Sequence, residues 1–412
     1  MFEHPTRRGV LTGALAFTAW ATIPKIAVAA GPRDPRLVVV VLRGALDGIA
    51  AVAPVGDPHY AALREEFAFP TSGPDVGTRL DDFFVLNSRL PTVAELYGKG
   101  EALFVHAAHS PYRERSHFDG QDVLENGTTS PIHHRDGWLG RAIAMLPGDS
   151  TIASHGAFAA ASSTPLLMRG ASNVVTYLPA GLPAASDDTR ARLLSMYEHT
   201  DPVLAGILAS GLELEKVTGS ESEVQMEVDA GMMGMEVGGR DRQIVSAATA
   251  AGRAMALDDG PRVGFLDMVG FDTHRGQRVI DGQLGNTLSG LDTALLALRN
   301  ALGDTWRDTV VAVITEFGRT VRMNGSWGTD HGTATVAMLL GGAVKGGRVI
   351  ADWPGLAENA LYEGRDLAPT TDLRAVLKGA LRDHMGFDLG PLGTTVFPDT
   401  ADVRPLDGLI RS

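Results

Sequence analysis

The sequence predicts an α/β protein: a mostly parallel central sheet with helices on both faces, carrying a mainly helical insertion. Three observations predict it. Short, uninterrupted apolar runs recur along the chain, each bordered by a turn rich in glycine or acidic residues. A segment with helical apolar spacing separates two of these runs, so strand, helix and strand alternate. The chain has 49 glycines in 412 residues, with 44% apolar and 21% charged residues, which suits a folded protein with many tight connections.

The first run lies in RLVVVVLRGALDGIAAVAPVGD, where Leu37 to Leu42 form a buried strand ending in a glycine turn with Asp47. EALFVHAAHS at 101–110 gives the second strand, ending near His106 and His109. RVGFLDMVGFDTH supplies a third at 262–269, DTVVAVITEFGRT a fourth at 308–315, and TATVAMLLGG a fifth. Before the fourth, NTLSGLDTALLALRNAL places Leu288, Leu291, Leu295 and Leu298 on one helical face, as a helix covering a sheet requires. TTDLRAVLKGALRDHMG at 370–386 reads as a late helix with Asp372 near its start and Gly386 at its stop. DGWLGRA reads as packing, with Trp138 and Leu139 in the core. Residues 184–240 depart from this rhythm: a polar helical stretch precedes a segment of acids, glycines and Met226, Met232, Met233 and Met235, read as an insertion beside the site.

Residues 1–30 read as an export signal of the twin-arginine type, with Arg7 and Arg8 before an apolar stretch and Ala27 and Ala29 in an A-x-A arrangement. The stretch from Val10 to about Ile23 falls short of the ~20 apolar residues of a membrane span, so no stable span is expected. The expectation is therefore a periplasmic or secreted protein, carried by the twin-arginine export machinery, with residues 31–412 as one α/β domain. The absence of cysteine excludes disulfides, thiol catalysis and Cys-bound metal, leaving Asp, Glu and His as metal ligands. A formal charge of −13 without a basic block excludes a nucleic-acid binder.

Ligands of such sheets gather at the carboxyl ends of the strands, and the ionisable residues there form a pattern. Asp47 follows the first strand, Ser116 and His117 the second, Asp272 and His274 the third, and Glu316 the fourth, while Asp330 and His331 precede the fifth. Carboxylates and imidazoles meeting at one edge can hold a divalent metal: zinc, manganese, magnesium or calcium. In GFDTH, Asp272 and His274 either chelate one ion or form an Asx turn capping a helix near Arg275 to Asp281. In TDHG, Asp330 and His331 either join that ion or decorate a turn, Asp330 being the better placed to orient its neighbour. Ser116 with Asp119 reads either as a capping box or as a nucleophile favoured by the helix N-terminus. His106, His109 and His117 read as packed or orienting imidazoles. In TEFGRT, Glu316 can ligate while Arg319 grips an anionic oxygen pair, or the two form an ion pair; Arg43 has the same ambiguity.

Taken in order, LVVVVLRGALDGIAAVAPVGDPHYAALR, SHFDGQDVLENG, DGWLGRA, GFDTH, TEFGRT, GTDHGTATVAMLLGG and TDLRAVL resemble the landmarks of the domain-of-unknown-function 1501 family from about Leu37 to Gly386. That family is grouped with the alkaline phosphatase and sulfatase superfamily, so the resemblance implies an alkaline-phosphatase-like fold and a two-metal ester hydrolase layout. It implies Asp47 and Ser116 as the acid and nucleophile on one ion, Asp272, His274 and His331 on the other, and Glu316 in place of a missing Asp. Phe317 stands where the superfamily's strand-end pair has a ligand, which leaves the Asp47 site one ligand poorer. The implied function is an exported hydrolase of phosphate or sulfate esters, acting on a small anionic ester or a sulfated or phosphorylated glycan. The alternative is a non-catalytic periplasmic binding or assembly protein that keeps the fold and one structural metal.

Overall fold

The computed structural model describes residues 34–411 except 71, 74, 132–133, 147–155, 172–173, 178–186, 203–204 and 206–238. The expected export segment and the methionine-bearing part of the insertion lie outside the described residues. Among the described residues twelve strands are formed: β1 (Arg36–Arg43), β2 (Val52–Ala53), β3 (Thr78–Arg79), β4 (Val85–Leu86), β5 (Ala102–His109), β6 (Ala157–Ala159), β7 (Val174–Thr176), β8 (Val263–Val269), β9 (Thr309–Thr315), β10 (Thr335–Leu340), β11 (Arg348–Ile350) and β12 (Thr371–Asp372). Nine of them make one sheet in the order β11-β5-β10-β9-β1-β8-β6-β7, with β12 beside β5. Strands β2, β4 and β3 form a small separate sheet.

The five expected strands are β1, β5, β8, β9 and β10. β1 lies at the centre, parallel to β8 and β9, and its side chains alternate between two cores. Val38, Val40 and Leu42 face one, while Leu37, Val39 and Val41 face the other. Such two-sided burial is what an unbroken apolar run codes for. Five helices matter here: α1 (Gly48–Ala51), α2 (His117–Asn126), α3 (Gly239–Ala256), α4 (Gln283–Leu302) and α5 (Leu373–Met385). α3 and α4 cover the first face, through Ala251, Met255, Leu288, Leu291 and Leu295 among others. α5 covers the second through Val376, Leu377 and Leu381, and Trp138 and Leu139 of the DGWLGRA stretch are buried there as expected. Asp372 caps α5 by accepting from the Arg374 backbone N–H at 2.8 Å, and Gly386 ends it in the left-handed region.

β10 runs antiparallel to both of its neighbours, β5 and β9. The start of β10 therefore lies at the edge where β1, β5, β8 and β9 end. This reversal brings a residue preceding one strand to residues that follow the others. Among the described residues no helix is long and apolar enough to cross a membrane.

Candidate metal centre

Four segments meet at this edge. The loop after β8 carries Asp272 and His274, the end of β9 carries Glu316, the stretch before β10 carries Asp330 and His331, and the start of α2 carries His117. Gly44, at φ 114°, lets the turn after β1 touch the first of these, since a Cβ there would lie 2.4 Å from the Asp272 nitrogen. Gly328 does the same for the third: its Cβ would sit 2.2 Å from the His274 carbonyl carbon.

One oxygen, Oδ1 of Asp272, is the focus. His274 Nε2 lies 3.0 Å from it, His331 Nε2 3.2 Å and His117 Nε2 3.3 Å. His117, Asp272 and His331 offer ligand atoms all within 4.8 Å of one another. Each imidazole has its other nitrogen engaged. His117 Nδ1 donates to Glu316 Oε1 at 2.8 Å, His274 Nδ1 to Asp330 Oδ1 at 3.0 Å, and His331 Nδ1 to the Arg115 carbonyl at 2.8 Å. In neutral rings those bonds put the proton on Nδ1 and turn a lone pair on each Nε2 toward the centre, the tautomer a metal-bound imidazole needs.

With neutral imidazoles, protein hydrogen bonds serve this centre poorly. Asp272 Oδ1 already accepts a charge-assisted bond from Arg319 Nη1 at 2.8 Å, leaving one lone pair for three imidazole nitrogens. His274 Nε2 and His331 Nε2 face each other at 2.9 Å, and His117 Nε2 is buried without a hydrogen-bond partner. Electron-rich atoms aimed at one point, with a buried one orphaned, fit a bound cation.

Charge reinforces the arrangement. Burial pushes the Asp272 carboxyl up, but the Arg319 guanidinium outweighs it and holds the pKa below the ordinary value. Burial also raises Glu316, and its bonds from His117, Gln121 and the Gly44 N–H reverse the sign and keep it low. Glu316 in turn raises the His117 imidazole, whereas burial lowers His331. The Asn324 amide, donating at 3.0 Å, lowers Asp330.

The family described as "Protein of unknown function (DUF1501)" matches residues 102–390. The chain belongs to this family. The match begins at β5, so it does not include β1 and Asp47, which the sequence resemblance had taken in. No curated protein matches this DUF1501 chain. Among solved structures it is similar to a protein in the alkaline phosphatase superfamily from Vibrio parahaemolyticus, at 11% identity and TM-score 0.39 over 96% of this chain and 79% of that one. It is similar to the phosphonate monoester hydrolase of Agrobacterium radiobacter, also at 11% and 0.39, over 77% and 70%. It is similar to Ps i-CgsB, solved with k-i-k-neocarrahexaose, at 12% and 0.33 over 75% of this chain and 66% of that one, just under two thirds of its length.

Within this DUF1501 site the expected residues take different places. Asp272, His274 and His331 converge. Asp330 orients an imidazole, but that of His274 rather than of its neighbour His331. Glu316 is fully buried, and its Oε2 accepts from Thr315 Oγ1 at 2.8 Å, so it steadies His117 from behind. Asp47 is not among the converging groups: its carboxylate caps α1 and accepts from Arg64 and Gln277, each at 2.6 Å, deep in the protein. Arg319 is buried and committed to Asp272, Thr329 Oγ1 and the Thr329 carbonyl, which leaves it no free face for an anion. Arg43 is held by Asp267 at 2.8 Å and Glu125 at 2.9 Å. Ser116 occupies the N-cap position of α2, yet its side chain makes no cap bond, and Asp119 instead accepts from the Tyr112 hydroxyl at 3.3 Å. The capping box is therefore not formed. Nor does a helix follow Asp272, so the capped-helix reading of GFDTH is not what the loop adopts.

His117 is the residue that sequence reasoning misplaced. It was read as a packed or orienting imidazole, and its Nε2 instead points into the cluster. The available signal was its position directly after Ser116 at a helix start, one step from a residue already singled out.

Proposed function

We propose that this DUF1501 protein is an exported, metal-dependent hydrolase of phosphate or sulfate esters, belonging with the alkaline phosphatase and sulfatase superfamily. The observation that carries the reading is the convergence of three Nε2 atoms on one Asp272 oxygen, with every Nδ1 already committed. His117, His331 and Asp272 would hold the ion, with His274 beside them. Imidazole-rich ligation suits zinc better than magnesium or calcium. A divalent ion bound there supplies Lewis-acid polarisation of an ester oxygen.

The chain's own residues supply the rest. Glu316, Asp330 and the Arg115 carbonyl fix the tautomers, and Arg319 keeps Asp272 ionised. Ser116 offers an uncapped hydroxyl one residue before His117, at the start of a helix whose dipole favours an anion. With Arg319 and Arg43 committed, the N–H groups of the first turn of α2 are left to steady the ester oxygens.

The test is metal analysis of full-length protein purified without chelator, together with turnover of generic phosphate and sulfate esters by wild type, Ser116→Ala and His331→Ala. The expected result is a bound metal and turnover in the wild type, both lost in His331→Ala, and turnover alone lost in Ser116→Ala. Activity retained in Ser116→Ala would assign attack to water. A wild type that binds no metal would defeat the proposal. Metal without turnover would favour the second reading, a periplasmic binding or assembly protein, which draws its support from the absence of a free guanidinium at Arg319 and Arg43.

A further inference from the structure

The loop that carries Asp272 and His274 continues to Asp281, and its far end borders a cleft of about 330 Å³. Trp327 contributes exposed aromatic surface to this cleft beside the buried Phe67 and Phe69, and Glu66, Arg278 and Asp281 contribute charge, Arg278 donating to Asp281 at 3.2 Å. Its volume falls within the range of small-molecule sites. Trp327 is 51% exposed, an unusual state for the largest apolar side chain.

The backbone around the cleft is held in conformations that side chains rarely adopt. Trp327 has φ 57° and Arg278 has φ 30°. Hydrogen bonds enforce this. The Gln277 N–H donates to the Trp327 carbonyl at 2.7 Å, and Asn324 Oδ1 accepts from the N–H groups of Ser326 at 2.9 Å and Gly328 at 3.1 Å. The same Asn324 donates through Nδ2 to Asp330 Oδ1 and to the His274 carbonyl, both at 3.0 Å. One amide thus ties the turn that carries Trp327 to the backbone of His274 and the carboxylate of Asp330.

We propose that this cleft binds a pyranose ring, with Trp327 stacked on the apolar face of the sugar. The carboxylates of Glu66 and Asp281 would accept from its hydroxyls, and Arg278 would donate. A sugar ring combines an apolar face with a hydroxyl-bearing edge, which matches an exposed indole flanked by carboxylates and by the Arg278–Asp281 pair, whereas an aliphatic chain would make poor use of a rigid indole. Resting on the function proposed above, the ring is that of a sugar ester whose anionic group reaches the cluster.

The experiment titrates full-length protein with cellobiose and maltose, neutral disaccharides without an ester, following tryptophan fluorescence and heat. Wild type, Trp327→Ala and Trp327→Phe are compared, each also after chelator treatment. At least one disaccharide should bind the wild type with a dissociation constant on the order of millimolar. Trp327→Ala should weaken this tenfold or more, while Trp327→Phe retains part of it. Chelator treatment should leave saccharide affinity unchanged, so a failure of the metal reading is told apart from a failure of this one. Absence of binding by the wild type, or equal binding by Trp327→Ala, overturns the proposal. So does a cleft that takes benzyl alcohol but neither disaccharide.

Discussion

Replacing Glu316 by Gln removes one buried charge behind the cluster and little else. The amide oxygen can keep the place of Oε1, accepting from His117 Nδ1 at 2.8 Å, the Gly44 N–H at 2.9 Å and Gln121 at 3.1 Å. The amide nitrogen then faces Thr315 Oγ1, which can accept once its hydroxyl, within reach of both the Glu316 carboxylate and the Leu42 carbonyl at 2.7 Å, turns its one hydrogen to Leu42. The second amide N–H is left without an acceptor in this buried place, so melting of the metal-free protein is needed to separate that cost from the carboxylate's effect on His117. A hydrogen bond to a charged partner is worth about 1 to 1.5 kcal/mol more than a neutral one, which converts to roughly tenfold in metal affinity, the low end of the ~10–100-fold seen for such orienting partners. The assay is competition with a chromophoric chelator for zinc near neutral pH, paired with melting of the metal-free protein. The metal-free variant should melt somewhat lower than the wild type but still fold, because the bonds that favour the ionised carboxylate are weakened in the neutral amide. Affinity within twofold of wild type would refute the argument, as would loss of affinity through collapse of the metal-free fold.

Two further outcomes follow from buried charges away from the cluster. Arg64 and Asp47 form an ion pair at 2.6 Å with both side chains essentially inaccessible, so Arg64→Met strands the carboxylate and should cost about 3–5 kcal/mol in urea unfolding, most of it recovered by adding Asp47→Asn; a loss below about 1 kcal/mol would count against this. His106 is buried and neutral, accepting from the Ala107 N–H and donating to the Val52 carbonyl, and burial lowers its pKa to about 4. Its folded pKa lies below the unfolded value near 6.5, so the unfolded chain takes up the proton first: the stabilisation is complete above pH ~6.5 and is lost as pH falls toward about 4. Between pH 6.5 and 5 the wild type should lose about 1.5 kcal/mol more than His106→Gln in urea melts, and parallel slopes for the two proteins would exclude the effect.

Much of the sheet was legible because its strands are buried on both faces. Val38 and Val39 must both be apolar, and such runs announce themselves. β6, β7 and β11 were missed: at three residues each they carry too little sequence to form a pattern. In the site, Asp272, His274 and His331 were legible from their positions at strand ends. Asp47 was misjudged by the same rule, since a carboxylate after a strand can equally cap a short helix, and only the distant Arg64 and Gln277 reveal that it does. His117 was misjudged for the opposite reason. Its partner, Glu316, is 199 residues away, and no local spacing encodes that contact. Asn324 gave no signal at all, because an Asn beside Gly325 reads as an ordinary turn.

The distribution of carboxylates explains why one site is open and the other is not. Asp47 and Glu316 each sit below the edge with every oxygen engaged, one by Arg64, Gln277 and the α1 cap, the other by His117, Gln121, Gly44 and Thr315. Asp272 differs: only its Oδ1 is crowded, by a guanidinium and three imidazole edges, and its side chain is 45% exposed. The two are joined physically, since Gln277 donates to Asp47 and accepts at 2.5 Å from Thr329 Oγ1, which in turn accepts from Arg319 at 3.2 Å. A chain of committed bonds thus runs from a buried ion pair to the guanidinium that keeps Asp272 ionised. The fold commits Asp47 to rigidity and leaves Asp272 accessible, which, on the function proposed above, argues for one centre held by His117, His331 and Asp272 in place of the two that the superfamily resemblance implied.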